Sequence, residues 1–382
     1  MQVVIFADQN PRASIAALRS LCYHKIGVYV AIKSNSKLRF SFLNYTNFID
    51  INKRLLRYEE CDEKSLVNTL YTFREQIGQY ILFPSGEKIL RWVIAHKNEL
   101  AQAGIILPTV NLESYEIISN KQSFINISQA HGLDVPSEFT ELPTTFKEKF
   151  VIKAKTGIWD TESVLTRPVL VQTPKALNKL REKNLNLDAH FIQEYINGPS
   201  FYYCALYDRG EKKISFTQQT IVQQPSGMSV VKAVPATLPE TVVRKIDLMM
   251  ESLNWYGLMM IEVKEFNDKY YAIECNPRLW GPIQLVIDNG ADFPYALWQL
   301  ATKQPITGVS MVEQPYGYIW TLGYLHGLLL KWQSKTAFQI YSKTLKRRVV
   351  FRDVWFRRDA YTYFFVELFT ILKTFVKVLV RN

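Results

Sequence analysis

The N-terminal part of the chain reads as short apolar runs separated by amphipathic stretches. Residues 2–7 form an apolar run that predicts a strand. Asp8-Gln9-Asn10-Pro11 then turns the chain into a helix over 12–23, and a second apolar run follows at 27–32. This β-α-β opening predicts a parallel, doubly wound sheet. Further strands are expected at 48–51, 80–84 and 104–106, with helices at 64–77 and 87–103. Ligand loops in such a sheet lie where strands end, which points to 8–12 and 84–87. Asn10 and Arg12 are the polar residues to follow there, and for Asn10 a turn-forming role is the better reading. No G-x-G-x-x-G motif accompanies this opening, so a dinucleotide is not indicated.

Near Leu112 the pattern changes. A helix starts at Asn120-Lys121, runs to Ala130 and ends at His131-Gly132, and Asp134-Val135-Pro136 leads into extended chain. Phe150-Val151-Ile152-Lys153 is a strand that ends in a lysine, ordinarily an edge residue with its head in water. Strands at 201–207 and 213–220 flank Asp208-Arg209-Gly210, and 239–253 reads as an amphipathic helix. Two apolar runs, 258–263 and 270–275, then flank Asn267-Asp268-Lys269 in the pattern of a β-hairpin.

Each run of that hairpin carries an acid, Glu262 in the first and Glu274 in the second. Glu274 and Asn276 are two apart on a strand and so point to one face. Whether Glu262 joins them depends on register. A two-residue loop pairs Glu262 with Ile273, whereas a three-residue loop over 267–269 sets it across from Glu274. Like charges directly opposite are destabilising unless a cation lies between them. Two carboxylates and an amide oxygen form a hard site suited to Mg²⁺ or Mn²⁺. Arg278 follows at once, and an arginine beside such a cluster can clamp a phosphoryl group. The alternative is a solvated hairpin with an exposed acidic face.

E-x-N-P-R at 274–278, followed by W-G-x-x-Q-L-x-I-D-x-G-x-D-F-P at 280–294, closely resembles the ATP-grasp superfamily of ligases, which activate carboxylates with ATP. The resemblance covers roughly 2–304. It implies that Glu262, Glu274 and Asn276 hold Mg²⁺, with Glu274 bridging two ions, and that Arg278 contacts the transferred phosphate. Lys121 matches the family's first phosphate lysine, although Asn120 replaces the usual Asp, and Lys153 matches the second. The following loop, Lys155-Thr156-Gly157-Ile158-Trp159-Asp160, departs from the family's Gly- and Ser-rich pattern. Residues 191–198 resemble the adenine hinge, where backbone groups of Glu194 and Ile196 pair with the base and the Gln193 side chain reaches its exocyclic amine. Ser200 stands where many relatives place a ribose-binding acid. The turn at 224–229 matches one that relatives place beside the substrate.

The expected layout is a small α/β domain over 1–111, an ATP-grasp domain of two α+β subdomains over 112–305, and a helical basic extension over 306–382. The implied activity joins a small-molecule carboxylate to an amine or other nucleophile through an acyl phosphate, with ADP and phosphate as products. Two other readings stand beside it: a nucleotide-binding relative with weak or no catalysis, and a membrane-surface scaffold.

Composition adds compartment and partners. The 382 residues are 48% hydrophobic and 21% charged, the profile of an ordinary globular protein. Four scattered cysteines without a C-x-x-C pair point to a reducing, cytoplasmic setting. No signal peptide and no transmembrane run of roughly 20 apolar residues is expected. The formal charge of +11 is concentrated at the end, where twelve basic residues from Lys331 onward face Asp353, Asp359 and Glu367. Residues 361–380 read as a helix with one narrow polar stripe. That helix either docks on the protein's own body or lies on an anionic membrane surface, with 343–382 as the contact. Nucleic acid is not expected as a partner, since no recognition module is visible. The sequence leaves the oligomeric state open.

Overall fold

The described residues form three sheets in the computed structural model, which describes 1–34, 54–59, 62–154, 168–182, 189–225, 229–306, 308–309, 312–334, 339–340 and 349–381. The first sheet comprises β1 (Gln2–Phe6), β2 (Val28–Lys33), β3 (Leu55–Tyr58), β4 (Tyr80–Leu82) and β5 (Ile105–Ile106), in the order β3-β2-β1-β4-β5, all parallel. Its strands are apolar on both faces because both are covered. Val3 and Ile5 pack with the Pro11–Tyr23 helix, whereas Val4 and Phe6 pack with Leu66, Leu70, Phe73, Ile89 and Val93 on the other side. The doubly wound opening is therefore as expected. The strand expected at 48–51 lies outside the described residues. The single helix expected over 87–103 is two, Glu87–Ile94 and Lys97–Gln102. The chain tightens at His96, whose N–H donates to Val93 and whose ring meets Glu63 Oε1 at 2.8 Å.

A four-stranded antiparallel sheet follows: β6 (Glu138–Phe139), β7 (Phe150–Ala154), β8 (Val169–Val171) and β9 (His190–Glu194), in the order β6-β9-β7-β8. Phe150, Ile152, Val171 and Ile192 bury one face against Leu177 and Leu180 of the Pro174–Arg181 helix. Strand alternation then assigns Val151, Lys153, Phe191 and Gln193 to the opposite face, with Val151 opposite Gln193 and Lys153 opposite Phe191.

The third sheet contains β10 (Ser200–Asp208), β11 (Glu211–Gln223), β12 (Val230–Pro235), β13 (Gly257–Phe266), β14 (Lys269–Cys275), β15 (Tyr316–Ile319), β16 (Gln339–Ile340) and β17 (Val350–Asp353). Its order is β14-β13-β10-β11-β12-β15-β17, with β16 beside β11. One face, through Cys204, Leu206 and Met260, joins the core of the Pro11–Tyr23 helix. The other, through Tyr203, Ala205, Tyr207, Met259, Ile261 and Val263, packs on Ile246, Met249 and Met250 of the Glu240–Ser252 helix.

The C-terminal segment is built into this body. β15 pairs with β12, and β17 runs parallel to β15. Asp353 accepts from the N–H groups of Thr321, Trp355 and Phe356. Arg19 pairs with Asp359, and Arg357 with Asp288. The Tyr361–Arg381 helix lays Tyr363, Phe364, Leu368 and Ile371 against the core that holds Trp355. Of the two readings of this tail, docking on the body holds for that face.

Candidate active site

The hairpin brings the two acids together by a route other than the loop length considered from the sequence. Phe266 pairs with Lys269, so the loop is two residues, Asn267 and Asp268. Both have positive φ, 50° and 59°, the twist a tight hairpin loop needs. The three-residue loop is therefore corrected. Val263 pairs with Ala272 and Glu262 with Glu274, so Ile273 is an extra residue accommodated as a β-bulge. The bulge makes the one-residue shift that sets the acids face to face. Asn276 continues the strand opposite Met260, exchanging both backbone hydrogen bonds with it.

Around these acids the charges are arranged asymmetrically. Glu262 is buried at 9% exposure and accepts from Ser200 Oγ at 2.7 Å. Burial holds its carboxyl above the ordinary range; Lys264 opposes this and Glu274 adds to it. Glu274 behaves in the opposite way. Desolvation would raise its pKa, but Lys121, Lys153, the Asn276 hydrogen bond and Arg278 together hold it below the usual carboxylate range. Lys121 Nζ lies 3.9 Å from Glu274 Oε2. Lys121 opens its helix, and the Asn120 side chain caps that helix by accepting from the N–H groups of Gln122 and Ser123. Asn at that position keeps the cap that an Asp would supply.

Asn276 and Arg278 form a relay behind Glu274. Asn276 Nδ2 donates to Glu274 Oε1 at 3.0 Å, and Arg278 donates to Asn276 Oδ1 at 3.3 Å. The amide thus presents its nitrogen, not its oxygen, to the carboxylate. Lys153 is not the solvated edge lysine that its strand pattern suggests. It is buried, and desolvation pulls its pKa down to about 8.

Gln193 shares the sheet face of Lys153, is 1% exposed, and among the described residues has no hydrogen-bond partner at either side-chain polar atom. A buried amide in that state is costly unless a ligand completes it. Of the hinge backbone, the Glu194 N–H donates to the Ser137 carbonyl and the Ile196 carbonyl accepts from Lys264 Nζ at 3.3 Å. Gly198 is required here, because a Cβ would meet the Glu265 carbonyl oxygen at 1.7 Å. Ser200, read as a stand-in for a ribose acid, is engaged with Glu262 instead.

Sequence reasoning missed Lys264, Gln218 and Thr220. Lys264 sits two residues after Glu262 and opposite Ser200, on the same face. Gln218, opposite Tyr202, and Thr220 are fully buried with side-chain atoms that find no partner among the described residues. Period-two spacing from Glu262 would have found Lys264, whereas Gln218 and Thr220 needed the pairing across strands. Asn10 caps its helix by accepting from the Ala13 N–H, as its turn-forming reading expects. Arg12 binds the Val230 carbonyl, Tyr318 and Ser229 and lies over the Trp320 ring at 4.1 Å. Gln284 and Asp288 serve Arg19 and Arg357. The Gly-poor loop at 155–160, and 226–228 of the polar turn, lie outside the described residues.

The donor set fits a divalent cation. Two carboxylates are directly opposed, and repulsion from one helps keep the other's pKa high, so a cation between them would relieve both. Among the described residues no group of three or more His, Cys, Asp and Glu side chains could hold a metal ion, so the site rests on two carboxylates.

No protein-family model matches the chain, and no curated protein sequence matches it. Solved structures do. The biotin carboxylase domain of Hydrogenobacter thermophilus 2-oxoglutarate carboxylase, in complex with MgADP, ADP and bicarbonate, superposes with a TM-score of 0.59 at 12% identity, covering 82% of this chain and 71% of that one. An L-amino acid ligase from Bacillus licheniformis gives 0.58 at 17% identity, covering 79% and 74%. N5-carboxyaminoimidazole synthetase from Staphylococcus aureus gives 0.59 at 13% identity, covering 87% and 84%. The chain has the ATP-grasp fold. In this ATP-grasp fold the Glu262–Glu274 pair, Lys121, Lys153 and Gln193 occupy the strands and helix start described above.

Proposed function

We propose that this protein is an ATP-dependent ligase that activates a carboxylate as an acyl phosphate and joins it to an amine. The observation that carries this reading is the bulge at Ile273, which places Glu262 opposite Glu274 despite the cost of opposing two like charges. Such an arrangement is useful when a cation and a polyphosphate are to be held. Glu262 and Glu274 would hold Mg²⁺, or Mn²⁺, with Asn276 joining them if its amide turns over. The ion supplies charge neutralisation at the β/γ oxygens.

The chain's own groups do the remainder. Gln193 and the hinge at Glu194 and Ile196 receive adenine, and Lys121 and Lys153 hold the phosphates. A substrate carboxylate oxygen attacks the γ-phosphorus, the bond to ADP breaks, and Arg278 stabilises the transferring group. The amine nitrogen then attacks the acyl carbon, phosphate leaves, and the amine proton goes to solvent. Gln218, opposite Tyr202, and Thr220, both buried and without a side-chain partner among the described residues, are the polar groups we assign to a substrate rather than to nucleotide. The test is ADP release across panels of carboxylates and amines, with ATP and Mg²⁺. Release that depends on one acid and one amine supports the ligase. Nucleotide binding without release under any pairing would favour a binding protein, a reading supported by Ser200 being committed to Glu262.

A further inference from the structure

Docking uses only part of the apolar surface of the Tyr361–Arg381 helix. Tyr363, Phe364, Leu368 and Ile371 face the core, while Phe365, Phe369 and Val376 are 56%, 59% and 56% exposed, and Tyr361 and Leu372 are exposed with them. These outward residues recur at helical spacing and form one stripe. The stripe continues off the helix onto Phe356, itself exposed, whose ring contacts Tyr361, Phe364 and Phe365. Tyr324 and Leu328 are exposed on the Thr321–Ser334 helix, which packs beside it. A run of exposed aromatic and aliphatic side chains this long marks an interaction surface.

The charges around it indicate what covers it. The three acids of the segment turn inward: Asp353 to backbone N–H groups, Asp359 to Arg19, and Glu367 to Tyr363, where burial pushes its pKa up to about 7. Arg358 and Lys373 are exposed, and Lys373 lies over the Phe369 ring at 4.4 Å, at the border of the stripe, whereas the exposed Arg352 is stacked over the Tyr316 ring at 3.3 Å. From Lys331 onward the chain has twelve basic residues against three acidic ones. That excess disfavours a second copy of the same face and suits an anionic partner. No helix among the described residues is long and apolar enough to cross a membrane, and the stripe is one helix face deep.

We propose that this patch rests on the anionic surface of a lipid bilayer, with the helix docked on the body and lying in the interfacial plane. The aromatic side chains enter the headgroup boundary while Arg358 and Lys373 meet lipid phosphates. This proposal is independent of the ligase reading, because it concerns a surface outside the nucleotide site.

The test is co-sedimentation of the full chain with vesicles of phosphatidylcholine alone and of phosphatidylcholine mixed with phosphatidylglycerol, at low and high salt. Binding is expected to the anionic vesicles only and to weaken as salt shortens the screening length, about 10 Å at 0.1 M. A Phe365→Ser/Phe369→Ser double variant is expected to bind about tenfold or more weakly, and Lys373→Glu to bind more weakly as well. Both change exposed side chains, so their thermal unfolding should match the parent and show that loss of binding is not loss of fold. The proposal is overturned by equal binding to neutral and anionic vesicles, by undiminished binding of the double variant, or by no binding. If vesicles are not bound and the chain is a dimer that the double variant dissociates, the patch is a self-association surface instead.

Discussion

At the scale of single residues, burial sets the chemistry at Lys153 and the acid pair. Lys153 has a folded-state pKa of about 8 against an ordinary 10.5. Its charged form therefore costs stability below about pH 8, and that cost fades as pH rises from there toward 10.5. Phosphates placed beside it favour the charged form, so nucleotide binding near pH 8 should take up protons. Calorimetry in buffers of different ionisation enthalpy measures this uptake, and Lys153→Met should abolish it. Glu262 is perturbed upward, so stability present below the ordinary carboxylate range is lost as pH rises through the folded-state value. Glu262→Gln should therefore raise the unfolding temperature at neutral pH without nucleotide while turnover falls. Glu274→Gln should lower turnover about a hundredfold or more with the fold retained; ADP release beside a melting curve checks both variants. With Ser200 committed to Glu262, ATP and 2′-deoxy-ATP should bind within about 1 kcal/mol of each other, and titration with each nucleotide measures the difference.

At the scale of elements, the hairpin is where register and chemistry meet. Asn267 and Asp268 both occupy the left-handed region, which costs an L residue other than glycine roughly 1–2 kcal/mol. Asp268→Gly should therefore raise stability by up to about 1 kcal/mol and leave the acid pairing in place, while Asp268→Val should lower it. Denaturant unfolding of the two variants gives opposite shifts in midpoint if the loop is the two-residue type. The hinge has a comparable constraint. At Gly198 any side chain meets the Glu265 carbonyl, so Gly198→Ala should displace the hinge and weaken nucleotide binding. The apolar runs and turn residues of these elements were legible in the sequence. The bulge was not, because Ile273 is an ordinary strand residue and only cross-strand pairing shows it to be the extra one.

At the scale of the whole molecule, the C-terminal segment holds the body together as well as extending it. Arg19 and Asp359 are 11% and 19% exposed at their side chains and join the first helix of the chain to the segment before the last. Removing one partner of a pair so largely buried leaves the other uncompensated, at a cost of about 3–5 kcal/mol. Arg19→Met should show a loss of that order in denaturant unfolding, and pairing it with Asp359→Leu should recover part of it. Ending the chain after Asp359 would also strip Tyr363, Phe364, Leu368 and Ile371 from the core, so a lower unfolding temperature is expected. The sequence showed this segment's charge and its apolar helix. It did not show which apolar face docks, since the helix is apolar on most of its circumference and periodicity alone cannot divide a docked stripe from an exposed one.

What the sequence determined by itself is local and periodic. The alternating runs specified parallel strands with helices on both sides, and E-x-N-P-R with W-G-x-x-Q-L-x-I-D-x-G-x-D-F-P marked the hairpin and its acids. Only the tertiary structure decided that Glu262 faces Glu274 through a bulge, that Ser200 serves Glu262, that Lys153 is buried, and that Gln193, Gln218 and Thr220 are left without partners among the described residues. The physical reason is common to all of these. Burial, pKa and hydrogen-bond satisfaction depend on what strands and helices distant in sequence place around a side chain, whereas periodicity records only the face on which its own element presents it.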